Sequence, residues 1–257
     1  TMKRRIATGI DIGTYQVKMV VVEELYDKHN GRQLRILGTG LAESKGLRHG
    51  YIINQEEVVK SLRVAIFQAE KSSGIKIKKA FISVSGIGLS GITTNGVVAI
   101  SRADSEITEL DIKKSIDASQ SEIPQSFALN RRIIHTVPIQ FKVDGKTIYG
   151  KPIGMKGNKL EVKVLFITCL DQHVNELIEA LGEVGGEVED AVAAPIAASL
   201  VTLSKTQKIA GCVLTNIGSE TVSIAVFENS ISVSLEVFPL GGFDVATEIA
   251  FGVRITV

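Results

Sequence analysis

The sequence predicts an α/β protein of two related lobes, the first of which carries a compact α+β insert. Three observations predict it. Runs of period-two apolar residues alternate with runs at helical spacing along most of the chain. Residues 9–22 and 214–227, GIDIGTYQVKMVVV and LTNIGSETVSIAVF, share an apolar strand, an Asp/Asn-Ile-Gly step, a three-residue turn and a second strand, without a gap. Between residues 87 and 160 the pattern changes to strands around one short helix. A repeat of that length means that one β-β-β-α unit begins twice. Two-lobed nucleotide folds are built that way, with two phosphate hairpins facing across a cleft.

The chemistry of the first hairpin follows from its residues. A tight glycine turn between two strands points successive backbone N–H groups into one concavity that suits a phosphate. A carboxylate at the strand end, here Asp11, can hold Mg2+ through water. Ala7, Gly9 and Asp11 alternate onto one face of the first strand, leaving small side chains beside the carboxylate.

Composition narrows the function classes. The 257 residues are 44% hydrophobic and carry 29 basic against 28 acidic side chains, dispersed along the chain. A soluble globular protein with real cores is expected, and with no net field to gather polyanions no nucleic acid is expected as a partner. Cys169 and Cys212 each lie in an apolar run without CxxC spacing, which reads as core thiols of a cytoplasmic protein. The longest weakly apolar run, residues 191–203, contains Pro195 and falls short of the ~20 residues of a membrane span, so no transmembrane segment is expected. A threonine ahead of Met2 reads as an added residue.

Taken in order, residues 33–42 follow a turn at His29, Asn30 and Gly31 and complete an antiparallel meander. Asn54 with Glu57 reads as a helix cap, and Val58, Leu62, Ala65, Ile66 and Ala69 recur at helical spacing until Gly74. Residues 79–85 are the next strand. Gly86, Gly88 and Gly91 then spell GxGxxG, but ITTNGVVAI after them is strand-like, whereas a dinucleotide site needs a helix to start there. The glycines are read instead as the exit into the insert. Within it, Ile107 and Ile112 bracket Thr108, with Asp111 at the third helical position, predicting a helix over 109–121 that Pro124 ends. Strands follow at 132–143 and 159–168. Asp171 is expected to cap a helix with Val174, Leu177, Ile178 and Leu181 on one face, followed by a strand through Val188 and Val192. Pro195 opens a further helix whose Ala194, Ala197 and Ala198 suit close packing. His29, His49, His135 and His173 lie far apart with no partner at ligand spacing, so all four are read as structural or surface residues.

Paired hairpins in duplicated ribonuclease-H-like lobes resemble the actin, DnaK-type chaperone and sugar-kinase superfamily. In detail the chain resembles the FtsA family of bacterial actin-like cell-division proteins. The segments GIDIGTYQVKMVV, GLRHGYIINQEEVVKSLRVAIFQAE, KKAFISVSG, RRIIHTVPIQFKVDG, KLEVKVLFIT, APIAASL and FPLGGFDVATEIA stand in that family's order and spacing. The resemblance implies an actin-like fold with residues 1–86 and 161–190 as the first lobe, 1A. Residues 87–160 would be the inserted SHS2-type subdomain 1C, and residues 191–257 the start of a second lobe, 2A, that is incomplete. It further implies ATP and Mg2+ as cofactors. Asp11 would orient the hydrated metal, while Gly13, Thr14 and Tyr15 offer N–H groups; Lys18 either reaches the phosphates or snorkels at the strand edge. On the second hairpin the corresponding positions are Asn216, Gly218, Ser219 and Thr221, with Gly241 and Gly242 ahead of the next helix.

Three positions depart from the family's DIGGGT pattern. Asn216 replaces a carboxylate, Glu220 replaces a glycine, and Ser223 stands where another Asp is common. Asn216 brings neither charge nor base character to Mg2+ or an attacking water. A Glu220 charge about 4 Å from a phosphate costs several kcal/mol at an effective dielectric of about 20, so nucleotide affinity falls unless that side chain points away. Weak or lost hydrolysis is expected, so a scaffold rather than an enzyme, with nucleotide binding left open. The resemblance implies divisome partners through 1C, FtsZ through regions outside this sequence, self-association through the second-lobe stub, and a cytoplasmic location at the membrane's inner face at the division site. The alternatives are a PilM-like adaptor of type IV pili, which shares the 1C arrangement, and a sugar-kinase-type ATP enzyme.

Overall fold

The computed structural model describes residues 5–27 and 31–255, so His29 and Asn30 of the expected turn lie outside the described residues. The first lobe opens with the antiparallel meander β1 (Arg5–Ile12), β2 (Gln16–Asp27) and β3 (Gly31–Glu43). Period-two alternation decides what faces where: Thr8, Ile10 and Ile12 are buried, while Ala7, Gly9 and Asp11 share the half-buried opposite face. A bulge at Leu37 shifts the β2–β3 register, and beyond it Gly38 and Gly40 lie flat beneath a helix. A short hairpin follows, β4 (Leu47–Arg48) and β5 (Tyr51–Ile52), with His49 and Gly50 at its tip.

Helix α1 (Gln55–Ser73) starts where Asn54 accepts the Glu57 N–H at 3.2 Å and ends at Gly74 in the left-handed region, φ 68°. Its Val58, Leu62, Ala65 and Ala69 are buried against the meander, as their helical spacing predicts. Strand β6 (Lys79–Val84) then pairs parallel with β1.

The insert comprises β7 (Ser90–Ala99), α2 (Glu109–Ser121), the short α3 (Gln125–Ala128), β8 (Arg131–Val143), β9 (Lys146–Ile148) and β10 (Lys159–Leu170). Its antiparallel sheet has the order β7-β10-β8-β9, with α2 packed on β7 and β10 over Ile107, Ile112, Phe141, Leu160, Val162 and Phe166. The expected end of the insert at residue 160 is corrected here. Strand β10 stays in that sheet for its full length, because KLEVKVLFITCL pairs with β7 to Thr168 without a register shift and with β8 to Leu170 across two bulges.

After the insert, α4 (Asp171–Glu183) returns to the first lobe and β11 (Glu187–Ala193) pairs parallel with β6, giving the sheet order β11-β6-β1-β2-β3. Asp171 is not the cap of α4 as expected: Leu170 holds that position, and the Asp171 carboxylate is taken by Arg132 at 2.7 Å and Asn175 at 3.1 Å. Helix α5 (Ala194–Thr202) has Pro195 in its first turn, as predicted. A six-residue helix not anticipated from sequence, α6 (Lys205–Ala210), is closed at its start by the reciprocal Ser204–Gln207 bonds. The second lobe repeats the meander as β12 (Cys212–Ile217), β13 (Val222–Glu228) and β14 (Ile231–Phe238), then α7 (Gly242–Val253).

The lobes are not independent bodies. Leu235 of β14 is fully buried in the core cluster that runs from the first lobe into the insert, and a Cβ at Gly91 would lie 3.1 Å from its carbonyl oxygen. One glycine of the GxGxxG spelling thus serves a close lobe-to-insert approach, with a strand and no helix after it.

The thiols differ in environment. Cys169 is buried, which pushes its thiol up to about 11, while Cys212 is half-buried. We expect a maleimide reagent at pH 8 to modify Cys212 alone in the native protein and both after denaturation, read by mass; two modified thiols in the native protein would contradict this burial.

Candidate functional site

The two hairpins are the same device at the level of hydrogen bonds. In the first, Gly13 N–H donates to Gln16 O at 3.2 Å; in the second, Gly218 N–H donates to Thr221 O at 2.8 Å. Register places Asp11 opposite Lys18 and Asn216 opposite Ser223. Among the described residues the N–H groups of Thr14, Tyr15, Ser219 and Glu220 have no acceptor, so both tips present donors of the kind a phosphate takes.

Asp11 is positioned from two strands. Ser83 Oγ on β6 donates to its Oδ1 at 2.5 Å, and Lys18 Nζ on β2 lies 3.3 Å from its Oδ2. Both neighbours are consequences of strand register, and Ser83 carries no sequence signal that would have marked it. Lys18 neither snorkels away nor stands free: it pairs with Asp11. A carboxylate held this way keeps lone pairs for a hydrated cation, and the small residues Ala7 and Gly9 leave space beside it, so this half of the site fits Mg2+ held through water. Among the described residues no group of three His, Cys, Asp or Glu side chains converges, so such a cation would rest on Asp11.

The second half fits less well. Asn216 is exposed and uncharged. Gly241 and Gly242 bring α7 against the hairpin rather than offering their amides outward: Gly241 N–H donates to Asp244 Oδ2 at 2.6 Å and Gly242 N–H to Gly218 O at 2.9 Å. Phe243 N–H is likewise taken by Ser219 O at 2.7 Å. A side chain at Gly241 would drive into the Ser219 carbonyl, which is why a glycine stands there.

What joins the hairpins is the β4–β5 tip. Gly50 N–H donates to Thr14 Oγ1 at 3.2 Å, and His49 N–H donates to Glu220 Oε2 at 2.6 Å. Consecutive amides of one turn therefore reach one to each hairpin. Glu220 points into this turn across the cleft. The turn's role in joining the hairpins was missed from sequence, where His49 read as a structural or surface residue. The other described histidines are structural: His135 Nε2 accepts Ala193 N–H at 3.0 Å, and buried His173 places Nε2 3.0 Å from Ser85 O. Burial holds both below the ordinary imidazole range.

Two ribonuclease-H-like meanders with facing glycine hairpins define the class: the fold is the actin-like ATPase fold. It is shared, at 15% identity and a TM-score of 0.66, with a chain of the PilM–PilN type IV pilus biogenesis complex, covering 97% of this chain and 66% of that one. The ethanolamine utilization protein EutJ of Carboxydothermus hydrogenoformans shares it at a TM-score of 0.52 and 13% identity, over 99% of this chain and 59% of that one. Within that class the chain is related in sequence to FtsA. Residues 86–168 match the SHS2 domain inserted in FtsA. The chain is 35% identical to the cell division protein FtsA of Bacillus subtilis over 96% of its own length and 54% of the relative's. For FtsA of Pseudomonas aeruginosa the figures are 30%, 97% and 58%, and for FtsA of Escherichia coli K12 they are 28%, 96% and 57%. The chain thus spans about half the length of the curated relatives it matches.

Proposed function

We propose that this chain acts as an FtsA-like adaptor in bacterial cell division, a scaffold rather than an enzyme. The observation that supports this most is that the kinship with FtsA runs through both lobes and the insert alike, along 96–97% of the chain. In this reading the SHS2 insert is the surface for divisome partners. FtsZ and the inner face of the membrane are reached through parts of the relatives that this chain does not span, and the protein works in the cytoplasm at the division site. No helix among the described residues is long and apolar enough to cross a membrane. Co-sedimentation of the complete gene product with FtsZ polymers is expected. Capture by a pilus-assembly peptide without FtsZ binding would favour a PilM-like adaptor, for which the support is the fold alone.

The nucleotide reading is ATP with Mg2+ on the Asp11 side and little turnover, because Asn216 supplies no base for an attacking water. Titration with a fluorescent ATP analogue, with and without Mg2+, is expected to give binding weaker than micromolar and background phosphate release. Submicromolar affinity with measurable release would defeat this reading.

Self-association is the third part. Helix α7 exposes Phe243, Val245, Ile249, Phe251 and Val253, and β12 is an edge strand of its sheet. Light scattering is expected to show mass rising with concentration, and Phe251→Glu to lower it. A monomer at every concentration would contradict the expectation.

A further inference from the structure

Glu220 and His49 are 171 residues apart in the chain and share two hydrogen bonds. His49 N–H donates to the Glu220 carboxylate at 2.6 Å, and His49 Nδ1, protonated in the tautomer this contact selects, lies 3.1 Å from the Glu220 carbonyl oxygen. The turn that carries His49 is tightly held. His49 and Gly50 both adopt left-handed φ, 48° and 84°, which for a histidine is uncommon and persists where surrounding contacts fix it. Gly50 N–H is bound to Thr14, a Cβ on Gly50 would lie 2.9 Å from Gly86 N, and His49 O accepts Ile87 N–H at 3.3 Å. One two-residue tip therefore touches the first hairpin, the second hairpin and the entrance to the insert.

A carboxylate that accepts a backbone N–H at a turn makes the bond that a phosphate oxygen makes in the same setting. We infer that Glu220 is a built-in anion that latches the second hairpin to the first lobe, so that the cleft is held closed by the protein's own carboxylate where a bound phosphate would otherwise bridge the lobes. A phosphate approaching the second hairpin meets a like charge and has to displace this bond. Because His49 and Gly50 also hold residues 86 and 87, opening the latch loosens the insert's entrance. The latch itself stands on the two hydrogen bonds; its effect on nucleotides rests on the nucleotide reading proposed above.

The test is hydrogen exchange by mass spectrometry on the 257-residue chain with Glu220→Ala and Glu220→Gln. Loss of one charge-assisted bond is expected to speed exchange about 10- to 100-fold in peptides covering 45–53 and 86–91, while peptides from α1 stay unchanged. Glu220→Gln, whose amide oxygen still accepts, falls between. Exchange in Glu220→Ala equal to wild type overturns the latch. Should Glu220→Ala fail to fold, Glu220→Gln, which keeps the side chain's shape, still has to speed exchange at 45–53, and no change there overturns it as well. A fluorescent ATP analogue, added in parallel, is expected to bind Glu220→Ala at least about 10-fold more tightly than wild type. Faster exchange without nucleotide binding in any variant keeps the latch and removes the nucleotide reading. Equal nucleotide affinity with unchanged exchange does the reverse.

Discussion

Gly40→Ala is expected to destabilise the first lobe strongly. A Cβ at this position of β3 would drive into the Ala65 carbonyl oxygen and lie 2.8 Å from Ala65 C and 3.1 Å from Ala69 N. These are backbone atoms of α1, so no change of rotamer can make room. The helix has to lift, and lifting it opens the core where Val58, Leu62, Ala65 and Ala69 are buried. Overpacking alone costs about 1–3 kcal/mol, and the weakened dispersion attraction between the lifted helix and the sheet adds to it. A loss of about 3–5 kcal/mol is expected, a large share of the ~5–15 kcal/mol that holds a domain. Urea unfolding followed by circular dichroism measures it. Gly182→Ala in α4 is the control, because nothing lies within 4 Å of its Cβ; it is expected to be neutral or to stabilise by up to about 1 kcal/mol. A Gly40→Ala loss below about 1 kcal/mol would mean that α1 does not sit on the strand as described.

Asp111→Ala is expected to be the costliest polar substitution in the insert, at about 2–3 kcal/mol. The carboxylate is 5% exposed and accepts from Arg102 Nη2 at 2.5 Å, Thr108 N–H at 2.8 Å and Thr108 Oγ1 at 2.7 Å. Arg102 also donates to the Glu106 carbonyl, so a single pair ties the 102–108 loop to the first turn of α2. The Arg102 guanidinium holds the Asp111 carboxyl far below the usual carboxylate range. A folded-state value below the unfolded one stabilises above the unfolded pKa of ~3.9, and that stability is lost as pH falls from there toward the folded value. Wild type should therefore lose insert stability between about pH 4 and pH 2, and Asp111→Asn, which removes the titrating group, should lose less over the same window. Parallel acid-unfolding curves for the two proteins would contradict this assignment.

How much of this was legible depended on range. The hairpins were, because Asp11-Ile12-Gly13 and Asn216-Ile217-Gly218 encode their turns locally and occur twice. Helix α2 was legible, since Asp111 stands three residues after Thr108 and its carboxylate takes both the Thr108 N–H and hydroxyl. The end of β10 was not: an apolar run of that kind carries no stop signal, and its length is decided by how far β7 and β8 accompany it. Helix α6 was too short to show periodicity. Gly40 and Gly96 each let a helix backbone settle on the sheet, a fact written only in the packing of α1 and α2. Where the Glu220 side chain points was left open by the sequence. Its actual partner, a backbone amide of the first lobe, lies too far away in sequence for any local pattern to connect them.

Depletion of the gene that carries this sequence tests the proposed role most directly. In dividing cells, loss of an FtsA-like scaffold is expected to arrest septation, giving long undivided filaments with segregated chromosomes, as seen by phase-contrast and DNA fluorescence microscopy. Cells that divide at normal length while losing surface pili would contradict the cell-division role and leave the shared actin-like fold in the service of a pilus adaptor.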